Sequence, residues 1–391
     1  MFELAVNVMT SIDIQGHCNP RFEPVREAFA CLMESTGELG ASCAIYRQGE
    51  LAVNLWAGTF NKNGDPWQQN TLANVFSVSK AVTAICVQKA VELGALELER
   101  PVADYWPEYG RNGKKHTLVS WFLNHRAGQP ALKTPLPDDA LYDWERMTET
   151  LATEEPWWEP GTRHGYHMIS YGWLVGEVFR RAVGISVAAF LQQEIALPLG
   201  LDMCFGVSEA DFSRLADLKA ANQSPAPGRV SLFNHVMEHP GSMTAKALLN
   251  PMSVMNGANT PEWRRAEIPS ANLHSTAQAL ATLFGNLACR EGLLQDQTLK
   301  QCYQVQSEGL DPVLLTETRF GPGFMLQQPG SVEAEFGPGP NAFGHPGAGG
   351  ALAFADPDQE LGFAYTMNKM GPYVLIDPRP RKLIDALYHC L

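Results

Sequence analysis

The spacing of apolar residues changes character several times along the chain, and each change predicts an element. Residues 22–35 carry apolar side chains at three- and four-residue intervals and stop at Thr36-Gly37, which predicts a helix. Residues 41–46 and 50–58 are strand-like runs on either side of Arg47-Gln48-Gly49, which predicts a hairpin. Residues 61–70 (NKNGDPWQQN) have loop chemistry. Residues 77–93 are apolar almost all round, through Ala81, Val82, Ala84, Ile85, Cys86, Val87, Ala90 and Val91, and Gly94 supplies a stop. A helix with no polar face belongs in the interior. Helical spacing also marks residues 117–123 and 170–191.

From 201 to 269 the periodicity degrades into Pro, Gly, Ser and Asn with short helical pieces, which predicts a large irregular insertion that serves as a lid or pocket wall. Periodicity returns in a helix over 275–287. Runs at 351–355 and 361–368 flank Asp356-Pro357-Asp358-Gln359-Glu360 as a second hairpin, and 379–390 reads as a closing helix. Helix and hairpin at one end, hairpin and helix at the other, predict that the two ends meet in one sheet. Residues 1–75 and 270–391 then form a sheet domain, and 76–269 a mostly helical domain carrying the 201–269 insertion. The fold class is α/β of the α+β kind: an antiparallel sheet flanked by helices, plus the helical part.

Composition narrows the function classes. The chain has 391 residues, 45% hydrophobic and 18% charged, with a formal net charge of -13. That is globular composition, and its acidity disfavours nucleic acid and anionic membrane as partners. No Lys/Arg-rich block occurs, and no apolar run reaches the length of a membrane span. Residues 1–18 lack the basic and apolar regions of a signal peptide. The eight cysteines are scattered without a C-x-x-C pair and read as reduced thiols, so the expected location is cytoplasmic. A homo-oligomer stays open.

The sharpest chemical signal is Ser77-Val78-Ser79-Lys80. Residues three apart on a helix share a face, so the Lys80 amine comes to lie beside the Ser77 hydroxyl. A hydroxyl needs an adjacent base to act as a nucleophile, and a buried amine loses its proton more readily than a free one. An S-x-x-K is common by chance, but this copy opens the buried helix and follows a loop-rich stretch. No G-x-S-x-G occurs, which excludes the nucleophile elbow of the α/β-hydrolases. His125, His164, His167 and His274 have no metal-ligand spacing such as H-E-x-x-H and read as hydrogen-bonded structural residues, and Ser79 reads as a neutral helix position.

In context the motif resembles that of the penicillin-binding protein and serine β-lactamase superfamily, class C β-lactamases and more closely the family VIII carboxylesterases. Ser77–Lys80 carries the likeness, with Pro160-Gly161-Thr162 leading to Tyr166-His167-Met168, similar to P-G-T…Y-x-N, and His345-Pro346-Gly347-Ala348, similar to a K-T-G element opening an inner strand. Leu123-Asn124-His125-Arg126-Ala127-Gly128 and Leu273-His274-Ser275-Thr276-Ala277 match lesser motifs in the same order. The resemblance implies the serine β-lactamase/DD-peptidase-like fold and acyl transfer. Ser77 would attack the carbonyl, and Tyr166, held near its phenolate form by Lys80, would take the proton and pass it to the leaving alcohol. Backbone N–H groups of Ser77 and Ala348 would bind the oxyanion, and water would deacylate the serine with no metal or organic cofactor.

The departures shape the expected substrate. Met168 stands in place of an Asn that would contact substrate and lysine, and His345 and Pro346 in place of Lys and Thr. That removes an obligate cation from the element that recognises a β-lactam carboxylate. The implied activity is hydrolysis of small, carboxylate-free short-chain or aryl esters, with His345, Gly347, Met168, Trp158 and His125 around the substrate. A β-lactamase or D-aminopeptidase, an acyltransferase and a catalytically silent binding protein are the competing readings.

Overall fold

The structure, a computed structural model, describes residues 12–391; most of the segment read above for leader signals lies outside them. The first hairpin follows from its turn. Gln48 and Gly49 both adopt positive φ, 51° and 86°, the two-residue turn whose twist suits antiparallel strands. It joins β2 (Gly40–Arg47) to β3 (Glu50–Gly58), and β1 (Gln15–Cys18) adds outside β3. From the far end of the chain come β11 (Leu352–Asp356) and β12 (Leu361–Met367), and β12 pairs with β2 over seven residues from Met367 opposite Ala41 to Leu361 opposite Arg47. The sheet continues through β10 (Phe343–Pro346), β9 (Met325–Leu326), β8 (Glu317–Phe320) and β7 (Ser307–Leu310). Its order is β1-β3-β2-β12-β11-β10-β9-β8-β7, every neighbouring pair antiparallel.

Helices cover this sheet. Ala277–Ala288, capped by the Thr276 hydroxyl, packs on β2, β11 and β12. The first helix α1 (Glu23–Ser35) and the closing helix Pro378–His389 pack on each other, and α1 also meets β2 and β3. The helix α2 (Val78–Glu92) lies in the interior, buried at every position from Val78 to Gln88. It runs beside β10 and the helix Tyr171–Val183, so it bridges the sheet and the helical part. A second small sheet, β4 (Ala73–Asn74), β6 (His274–Ser275) and β5 (Met203–Cys204), clamps the segment just before Ser77.

Three expectations change. The helix expected over 170–191 ends at Gly184 (φ 87°), and Ser186 caps a new turn at Val187–Phe190, because the glycine satisfies the end of the first helix. The one expected over 117–123 is a short helix at Val119–Leu123. His345 and Pro346 close β10 instead of opening a strand, with Gly347 and Ala348 in the turn that follows. Strands β7 to β10 gave no sequence signal, being two to four residues long. The 201–269 stretch is irregular as read, with short helices at Leu232–Glu238, Met243–Leu249, Ser253–Asn256 and Pro261–Arg265.

Candidate active site

The chain enters α2 through a strained residue. Phe76 has φ 44°, a region that costs a side-chain-bearing residue roughly 1–2 kcal/mol. The bend places Ser77 at the N-cap of α2, partly exposed, with its hydroxyl making no capping bond. One turn on, Lys80 is fully buried. Its Nζ lies 3.1 Å from Ser77 Oγ and donates to the carbonyls of Met168 (2.7 Å) and Ser270 (3.0 Å). Burial pushes its pKa well below the usual lysine value. A neutral amine has two N–H groups and one lone pair. Where the amine is neutral, with both N–H groups on the carbonyls, its lone pair faces the Ser77 hydroxyl.

Tyr166 reaches the same cluster from the loop that precedes the helix Tyr171–Val183. Its backbone N–H donates to Asp311 Oδ2 (2.8 Å), its ring stacks on Phe320, and His125 packs 4.9 Å away. The Lys80 Nζ sits 4.9 Å from the centre of the ring. Burial raises the phenol above its ordinary pKa, and a hydrogen bond with the Ser77 side chain pulls it partly back. Burial thus favours the protonated phenol over the phenolate.

The Tyr166 hydroxyl lies 3.5 Å from His345 Nε2. His345 Nδ1 is 2.7 Å from the Pro346 carbonyl, which only accepts, so Nδ1 carries the proton and Nε2 is the acceptor for Tyr166. Burial, and then the Lys80 amine, push the His345 pKa down to about 3. The position that carries a cation in the resembling motif is therefore neutral. Beyond it, the turn between β10 and β11 runs against α2: a Cβ on Gly347 would lie 2.2 Å from the Val75 carbonyl oxygen. Ala348 is thereby brought to the mouth of α2, partly exposed. Neither the Ser77 N–H nor the Ala348 N–H has a protein acceptor among the described residues.

The remaining expected residues are placed less directly. Met168 contributes its carbonyl to Lys80, so the lost Asn side chain is replaced in that contact by backbone. His125 is packed behind Tyr166 among Phe320, Tyr171 and His167, with Nδ1 accepting the His167 N–H (3.1 Å). It supports the tyrosine from behind. Trp158 stands edge-on to His167 under the Arg163 guanidinium. Ser79 is not a neutral position: its Oγ accepts the Leu273 N–H (3.0 Å), tying α2 to β6. A separate cavity of about 280 Å³ lined by Tyr142, Trp144, Trp173, Arg180 and Glu267 contains none of the candidate site residues.

Ser270, Asp311 and Phe320 were not singled out from sequence. Asp311 is buried and accepts the N–H groups of Val313 (2.8 Å), Leu314 (3.0 Å) and Tyr166. In sequence Asp311-Pro312 reads as an ordinary turn, and Ser270 acts only through its carbonyl, which no side-chain pattern reveals.

Known proteins share this arrangement of elements. Esterase/beta-lactamase LipL of Mycobacterium tuberculosis is 30% identical over 372 residues, 93% of this chain and 85% of that protein. A penicillin-binding protein homologue from Caulobacter crescentus superposes with a TM-score of 0.88 at 37% identity, covering 97% of this chain and all (100%) of that one. A solved family VIII carboxylesterase superposes with a TM-score of 0.86 at 32% identity, with the same 97% and 100% coverage. The family described as Beta-lactamase matches residues 25–387. With nearly its whole length matched, the chain belongs to the Beta-lactamase family of serine hydrolases.

Proposed function

We propose that this protein is a serine carboxylesterase that hydrolyses small neutral short-chain or aryl esters through an acyl-Ser77 intermediate. The observation that carries the reading is the Lys80 amine, 3.1 Å from Ser77 Oγ with its other contacts fixed on two carbonyls. Ser77 attacks the ester carbonyl as its proton passes to Lys80. The oxyanion is met by the Ser77 and Ala348 N–H groups, and loss of one such donor typically costs about 10²- to 10³-fold in rate. The C–O bond to the alcohol breaks, and the departing alkoxide takes the Tyr166 proton, which Lys80 then restores. Water then attacks the acyl carbon and gives its proton to Lys80; the bond from that carbon to Ser77 Oγ breaks, the acid leaves, and Lys80 returns the proton to Oγ. Every ionisable partner ends in its starting state.

The neutral His345 supports an uncharged substrate: a carboxylate beside it would find no cation there. The relatives named esterase and carboxylesterase support the same bond type. The name Esterase/beta-lactamase keeps amide hydrolysis as the second reading. The test is labelling by a fluorophosphonate, located by mass spectrometry, together with turnover of p-nitrophenyl butyrate and nitrocefin. Labelling at Ser77, ester turnover abolished in Ser77→Ala, and slow nitrocefin turnover are expected. Full ester turnover by Ser77→Ala overturns the mechanism, and nitrocefin turnover matching that of the ester overturns the substrate class.

A further inference from the structure

We propose that Arg379, on the closing helix, is a positioning residue for the oxyanion-binding turn: it ties the Gly349 carbonyl into a buried ionic cluster and so holds the Ala348 N–H beside Ser77. The proposal rests on the hydrolase reading above and deepens it.

The turn itself points to one free donor. Of its four consecutive amides, Gly347 donates to Ala351 (2.6 Å), Gly349 to Tyr373 (2.8 Å) and Gly350 to Gly347 (3.1 Å). Ala348 alone is uncommitted. What fixes its direction is the set of anchors on either side. On one side Gly347 is pressed against Val75. On the other, the Gly349 carbonyl accepts from Gly371 N (2.8 Å) and from Arg379 Nη2 (2.5 Å).

Arg379 is itself held on every donor. Nε bonds Asp377 Oδ1 (3.0 Å), and Nη2 bonds Asp377 Oδ2 (2.9 Å) as well as Gly349. Nη1 bonds Glu38 Oε2 (2.5 Å) and the Lys369 carbonyl (2.7 Å). All five N–H groups of the guanidinium are thereby used. The side chains are 10% exposed for Arg379, 2% for Asp377 and 0% for Glu38. Tyr365 adds its hydroxyl to Glu38 Oε2 (3.0 Å).

Such a cluster is a poor way to gain stability, because desolvating the charges offsets much of their attraction. What it supplies is direction. A planar fork with five fixed donors joins the link between α1 and β2, the segment after β12, the oxyanion-binding turn and the start of the closing helix into one unit. Lysine has three donors on a single flexible point and cannot span these acceptors.

The test uses Arg379→Lys in the full chain, with p-nitrophenyl butyrate and the matching thionoester as paired substrates. Sulfur is larger and a weaker hydrogen-bond acceptor than oxygen, so an ordered oxyanion site prefers the oxygen ester. Folding is checked by the thermal midpoint. The expected result is a folded variant with kcat down roughly 10²-fold on the oxygen ester, KM within about threefold, and an oxygen-to-thiono rate ratio lowered by the same factor as kcat. If Arg379→Lys does not fold, the same ratio is read in Asp377→Asn, which loosens the guanidinium while keeping an acceptor. A folded variant with wild-type kcat overturns the proposal, and so does a loss of kcat with an unchanged ratio, which marks a merely structural role. Ser77→Ala separates the two readings: wild-type turnover there sinks the hydrolase reading, whereas an inactive Ser77→Ala with a normal Arg379→Lys ratio sinks only this one.

Discussion

Gly347 passes so close to Val75 that a Cβ on it would lie 2.2 Å from the Val75 carbonyl oxygen. The obstacle is backbone, one residue before Phe76 and two before Ser77, so nothing flexible can yield. Gly347→Ala must push the turn away from α2, and the Ala348 N–H moves with it. A displacement of about 1 Å at a reacting centre costs about 10²-fold. We expect kcat on p-nitrophenyl butyrate to fall by about that factor in a protein that still folds. Wild-type kcat in Gly347→Ala would show that the turn does not set the site.

Restoring the cation of the related motif should harm this protein. His345 is buried, neutral and close enough to Lys80 for the amine to depress its pKa. His345→Lys places a second buried amine beside the first and removes the Nε2 acceptor from Tyr166. We expect a lower thermal midpoint and at least tenfold lower kcat/KM on neutral esters, measured by steady-state kinetics. Unchanged kinetics would mean that His345 does not touch the proton path.

In the proposed mechanism Lys80 sets the pH dependence of the reaction. Burial holds its pKa well below the usual value of about 10.4. The neutral, active amine is therefore reached at lower pH than in a free lysine, and is lost as pH falls through the depressed pKa. We expect kcat/KM to be flat from pH 8 to 10 and to fall only on the acid side. A rate still rising through about pH 10 would assign Lys80 an ordinary ionisation and remove it as the base.

A buried histidine outside the site makes stability depend on pH. His274 donates Nδ1–H to the Asn272 carbonyl (2.9 Å), and burial pushes its pKa down to about 3. The unfolded chain takes up a proton near pH 6.5 that the folded chain refuses. Its contribution is therefore complete above that pH and is lost as pH falls toward 3. His274→Asn keeps a short polar side chain that does not titrate. We expect the variant to be the less stable at pH 7.5, and the gap to narrow by about 2 kcal/mol by pH 5. Denaturant melts at the two pH values check this, and a constant gap would refute it.

The first hairpin carries a small defect. Gln48 sits at φ 51°, where asparagine is better tolerated and is favoured before glycine in this turn. Gln48→Asn should stabilise the protein by about 0.5 kcal/mol without altering turnover, read as a rise in thermal midpoint. No rise would mean that Gln48 gains something there that its backbone conformation does not show.

Much of the fold was legible along the chain where local signals agree. The all-apolar run after Ser77, the Gln48-Gly49 turn and the periodicity after Thr276 each specify an element through its own residues. Strands β7 to β10 were not legible, because runs of two to four residues have no period to read and exist through their neighbours. The site divides in the same way. Ser77 and Lys80 could be paired from a three-residue spacing, and Tyr166 from a motif in family order. Ser270, Asp311 and Arg379 act through a backbone carbonyl, a backbone amide and a distant turn, for which one-dimensional sequence holds no marker.

The amino-acid sequence alone thus pointed to candidate reactive side chains and to the segments with a clear helix or strand signal, since both are properties of residues and their near neighbours. Tertiary structure decided their charge states and directions. Burial by distant segments lowers the pKa of Lys80 and keeps His345 neutral, and of the four amides in the turn only that of Ala348 has no acceptor among the described residues. Desolvation and hydrogen-bond geometry depend on what surrounds a group in space, and only the folded chain supplies that.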